Sequence, residues 1–190
     1  MSADGPNIIR AFRQVRQVCE QVSLLLQTAD EQMKKAEWKT RNSTSLSETT
    51  TSILNPRQWI PCSVFRFYFN QKKQNLIACI SVLLTDHFDD RYALNEPVVA
   101  AMYFDYGKGH KVENDWEYWY ARYFGYLSQS RHFEPNGETV EFDNKKLEAD
   151  LQVNFEKGVL FAIPLVSLKN GQDVKLQVTD KLLSLLNKSS

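Results

Sequence analysis

The sequence predicts an α+β fold: a long N-terminal amphipathic helix, then a mostly antiparallel sheet of about five strands with helices packed on one face. Three observations lead there. First, Ile8, Phe12, Val15, Cys19, Val22, Leu26, Ala29, Met33 and Ala36 are separated by steps that alternate four and three. About 3.5 residues make one helical turn, so all nine side chains share one stripe. Second, short stretches between Ser63 and Pro164 alternate apolar and polar residues or run apolar throughout, as half-buried and central strands do. Third, helical spacing returns at Trp116, Trp119, Tyr120, Tyr123, Phe124 and Leu127, and again in the leucines near the end of the chain.

Taken in order, the chain divides into three parts. Residues 1–38 form the long helix, with Pro6 at its first turn. Ala11, Val18 and Leu25 widen its stripe beyond a two-stranded seam, which suits packing on a sheet or in a bundle as well as self-pairing. Residues 39–57 are crowded with Ser and Thr and read as a polar, mobile connection. Residues 58–190 form the sheet domain.

The sheet domain opens with Ser63 to Asn70, a strand with Phe65, Phe67 and Phe69 on a buried face and Val64, Arg66 and Tyr68 on the other. A polar turn follows. Leu76 to Thr85 returns as a central strand, and Pro97 to Tyr106 supplies a third, kept thin by Ala100 and Ala101. The aromatic helix lies within Asp115 to Leu127, capped at Asn114 or Asp115. Glu134-Pro-Asn-Gly is a turn and Thr139 to Asp143 a short edge strand, while the stretch from Lys145 to Phe155 fits a helix or a strand. Gly158 to Pro164 is a buried strand, Asn170-Gly171 a turn, Val174 to Val178 alternates like a strand, and Thr179-Asp180 caps a last helix carrying Leu182, Leu183, Leu185 and Leu186. This order resembles, in topology, the helix-and-sheet sensory modules of the PAS and GAF type. The resemblance brings no residue motif and therefore no functional residues.

Composition narrows the function classes. The 190 residues hold 23 Lys and Arg against 23 Asp and Glu, so no global field draws the chain to nucleic acid or to an anionic membrane. No apolar run approaches the ~20 residues of a membrane span, and the first residues lack the basic and apolar segments of a secretory signal. Cys19, Cys62 and Cys79, odd in number and in apolar surroundings, read as reduced, buried thiols. A cytoplasmic protein is expected.

Three places can carry chemistry. Asp86, His87, Asp89 and Asp90 cluster after a strand and combine oxygen ligands with an imidazole, as a divalent metal site does; the alternative is a solvated acidic turn. Tyr103, Tyr118, Trp119, Tyr123 and Tyr126 offer large apolar area with polar tips, suited to a planar ligand or a protein partner, or else to filling the core. Gly107-Lys108-Gly109 lacks the spacing of a phosphate loop and reads as a turn. No nucleophile motif appears and no cofactor is expected. The sequence therefore favours a module that acts by binding, pairing with itself or another protein through Phe12, Val15, Val22, Leu26 and Met33. The alternative is a metal-dependent hydrolase or nuclease built on the loop from Asp86 to Asp90.

Overall fold

A computed structural model describes residues 4–40, 45–46, 53–54, 60–84, 96–109, 135–142 and 155–189. Among these residues the chain begins with helix α1, Gly5–Lys35, and continues into seven strands: β1 Lys39–Thr40, β2 Ser45–Leu46, β3 Ser63–Phe69, β4 Leu76–Leu83, β5 Val98–Asp105, β6 Val140–Phe142 and β7 Lys157–Pro164. A 3₁₀ turn, Leu165–Ser167, leads to a C-terminal helix, α2. It runs without a break through Gly171–Asp173, a π-helical stretch Val174–Thr179, and Asp180–Lys188.

Every strand pairing is antiparallel, in the order β1-β3-β4-β5-β7-β6, with β2 sharing the outer edge of β3 with β1. The fold is thus the α+β arrangement its patterning implies, with six strand positions. The two extra strands fall in the Ser- and Thr-rich connection, where two-residue strands carry no readable alternation. The edge strand β6 lies outside β7, and Gly158 is what lets it close: a Cβ there would lie inside the ring of Phe142.

Side chains of period two separate two cores. On one face Val64, Tyr68, Leu76, Ile80, Val82, Tyr103 and Phe161 pack against Val22, Leu26, Ala29 and Met33 of α1 and Val178, Leu182 and Leu186 of α2. On the other face Phe65, Phe67, Ile77, Cys79, Met102, Phe104, Phe142 and Phe155 form a second buried cluster. There the rings of Phe104, Phe142 and Phe155 meet edge-on or tilted with centroids 5.1–5.9 Å apart. Both faces of β3 are buried, and Arg66 is held within the helix-covered face instead of marking a solvent face.

One expected strand is a helix. Val174 to Val178 alternates on paper, yet Asn170 caps α2 by accepting from the backbone of Gln172 and Asp173, so the cap lies nine residues before Thr179. Its buried line is Val174, Val178, Leu182 and Leu186, spaced by four. In an α-helix four residues overshoot a turn by about 40°, so this line would drift off the sheet. A π-helical turn holds more residues and takes part of that rotation back.

The aromatic helix, the acidic loop and most of the 145–155 stretch lie outside the described residues, as do Tyr118, Trp119, Tyr123, Tyr126, Asp86, His87, Asp89 and Asp90. Among the described residues no helix is long and apolar enough to cross a membrane.

Candidate interaction surface

The candidate surface is the uncovered part of α1, and it is defined by how the rest of that helix is held. The seam from Val22 onward is closed against the sheet: Val22, Leu25, Leu26, Ala29 and Met33 are all buried. Asp30, beside the seam, adds a polar clamp. Its carboxylate accepts from the Arg66 guanidinium, including Nε at 3.2 Å, and from the Tyr68 hydroxyl at 2.9 Å. Arg66 has its pKa raised, chiefly by the bond to Asp30. Burial, then the Asp30 carboxylate, push the Tyr68 phenol well above its usual value.

The helix ends in a Schellman motif. The amide of Trp38 donates to the carbonyl of Met33 and the amide of Glu37 to that of Lys34, with Glu37 left-handed at φ 65°. Trp38 and Met33, the two residues such a motif brings together, are both buried. The position, orientation and C-terminal end of α1 are therefore fixed by its second half.

Among the described residues the first half has no such partner. From Gly5 to Gln21 every residue is exposed, including Ile8 at 45%, Phe12 at 59% and Val15 at 37%. About 25 Å of helix at 1.5 Å per residue extends past the sheet with its apolar seam in water. Ile9 and Val18 widen the exposed area. Arg10, Arg13 and Arg16 stand against Glu20, so residues 5–21 carry a net charge of +2 (three minus one). Cys19 sits at the end of the bare seam and is exposed; only Cys62 and Cys79 are buried as expected, and no disulfide is present. Its apolar neighbours in sequence belong to the seam that nothing covers, which is why burial was inferred wrongly.

Where the free half meets the sheet there is a groove of about 540 Å³, lined by Cys19, Val22 and Leu26 of α1 and by Pro61, Val64 and Leu84 at the ends of β3 and β4, with Ser23, Gln27 and the Asp30–Arg66 pair supplying its polar part. A larger, more polar cleft of about 710 Å³ lies at the other end, among Lys72, Lys73, Asn75, Asp105, Lys108 and Glu156. Several of its polar groups already have partners within the chain: Lys72 pairs with Glu37 at 2.7 Å, Lys73 donates to the carbonyl of Leu186, and Asn75 donates to Asp105. What remains is a solvated rim.

Of the candidate interface residues, Val22, Leu26 and Met33 are inside the chain's own core, while Phe12 and Val15 face water. Tyr103 is buried under α2, its hydroxyl bonded to that of Ser189. Tyr103 shares one core with Val22, Leu26 and Met33, and Phe12 and Val15 stand outside it. The groove's sheet side, Pro61, Val64 and Leu84, had no sequence signal, because it joins α1 to strands some forty residues further on. Among the described residues no three His, Cys, Asp or Glu side chains are gathered as a metal site would need. Comparison with protein families, with curated proteins and with solved structures finds no match.

Proposed function

We propose that this protein acts by binding, assembling with itself or with another protein through the N-terminal half of α1. The observation that supports this most directly is the uncovered seam Ile8, Phe12, Val15 and Cys19, continuous with the buried seam Val22, Leu26, Ala29 and Met33. Exposed apolar area of this extent, contiguous and rimmed by charge, is a mark of interaction sites. The aromatic side chains Tyr118, Trp119, Tyr123 and Tyr126 are the second element of the reading, as a surface for a partner or a planar ligand. The three cysteines, none in a disulfide, favour the cytoplasm.

The test compares wild type with the Phe12→Asp, Val15→Asp double variant. The variant should keep the circular dichroism spectrum of a folded chain and lose the mass above the monomer that the wild type shows in light scattering, or the binding of an apolar dye where the wild type is a monomer. If dye binding and mass are both unchanged, the free half of α1 is not the binding surface.

A further inference from the structure

We infer that the seam of α1 is covered by a second copy of this chain, paired antiparallel over residues 5–21, with each helix start entering the groove of the other copy. This rests on the binding reading above and names its partner. Sterics set the direction. The free seam and the covered seam are one line on α1, and the sheet occupies that line from Val22 onward. A parallel copy laid on Ile8 to Cys19 would bring its own sheet-covered half to the place this sheet already fills. An antiparallel copy carries its sheet to the opposite end, and each free half stops where the other copy's sheet begins.

Register follows from matching the two free halves end to end. Ile8 then lies opposite Cys19 of the second copy and Phe12 opposite Val15, so each layer joins a large side chain to a smaller one. The flanks also close: Val18 meets Ala11, and the stem of Arg16 runs beside Ile9. At the limit of the pairing, Val22 faces Gly5, which has no side chain, and the first turn Gly5-Pro6-Asn7 enters the groove on its apolar side, beside Pro61, Val64 and Leu84 and away from the Asp30–Arg66 pair. That turn holds no acidic residue, and the Asp4 carboxylate caps none of its backbone amides, accepting instead from the Asn7 side chain at 3.5 Å. The pairing sets Glu20 of the other copy beside its positive dipole end. Arg10 and Arg13 are left facing water, so the pair of free halves carries like charge and association should strengthen with added salt. An acidic partner or an anionic lipid surface would show the reverse.

The experiment uses the full chain with thiol chemistry. Wild type should have the mass of a dimer in light scattering, with an apparent affinity that rises several-fold between low and physiological salt. Under mild oxidation Ile8→Cys should give a covalent dimer, because the introduced thiol faces Cys19 of the second copy. Wild type should give none, since its two Cys19 residues lie apart, and neither should Ile8→Cys combined with Cys19→Ser. A wild-type dimer linked through Cys19, or a cross-link that survives Cys19→Ser, would show a parallel pair and overturn the inference. A wild type that stays monomeric at every salt concentration also overturns it. If the monomer's seam still binds dye or phosphatidylglycerol vesicles in a way that Phe12→Asp abolishes, the binding reading stands and only the second copy is lost.

Discussion

The two halves of α1 carry the same sequence pattern and have opposite environments. Ile8, Phe12, Val15 and Cys19 continue into Val22, Leu26, Ala29 and Met33 without a break in spacing, yet the first group is in water and the second is in the core. Met33 and Ala29 are fully buried while Phe12 is 59% exposed. Amphipathic spacing therefore states that a face needs covering and leaves open what covers it. The difference lies in what the sheet reaches: it is wide enough for about three turns of helix, and the remaining turns extend past it.

The largest expected effect tests the covered half. Met33→Ala should cost about 2–5 kcal/mol in denaturant unfolding, because it opens a cavity in a closed core. In dilute protein Phe12→Ala should stay within about 0.5 kcal/mol of wild type, as substitutions at exposed positions do. Equal costs at the two positions would mean that the halves do not differ.

Next comes the clamp within the covered half. Asp30→Ala takes from Arg66 and Tyr68 the carboxylate to which both are bonded and should cost about 1–3 kcal/mol. A cost near zero would leave apolar packing alone to orient α1. The same clamp sets a pH dependence. The Tyr68 phenol is raised by burial and by Asp30, so the folded chain holds this proton more tightly than the unfolded one. That contribution is complete below the ordinary tyrosine value of about 10 and is lost as pH rises beyond it. Lys181, lowered by burial, works the other way, adding stability as pH climbs towards the ordinary lysine value. Tyr68→Phe should cost about 1 kcal/mol at neutral pH and flatten the alkaline loss, read as stability against pH.

The smallest effect is a gain. Glu37 is left-handed at the end of the covered half, where a side chain is strained. Its ion pair with Lys72 joins two exposed side chains and contributes little. Glu37→Gly should therefore raise stability by about 0.5–1 kcal/mol, with the free half of α1 unaffected.

Much of the architecture was legible locally. The strands at Ser63–Phe69, Leu76–Leu83, Val98–Asp105, Val140–Phe142 and Lys157–Pro164 follow their alternation or apolar runs to within two residues. What failed were segments whose local signal is ambiguous. Val174 to Val178 has both strand alternation and helical spacing to Leu182, and the Asn170 cap together with packing against α1 decided for helix. Lys39–Thr40 and Ser45–Leu46 are strands only because β3 presents them an edge. For Arg66 the alternation gives only the face, because the partner that holds it there, Asp30, is thirty-six residues away.

The sequence by itself determined that residues 8–36 carry one apolar seam at helical spacing, and where the five strands between Ser63 and Pro164 lie, because both are periodicities set by backbone geometry within a few residues. Tertiary structure alone decided which half of that seam is covered, that Asp30 meets Arg66 and Tyr68, and that a groove opens at Cys19. Those outcomes depend on how far a sheet built some forty residues further along the chain extends beneath the helix, and nothing in a local spacing encodes that distance.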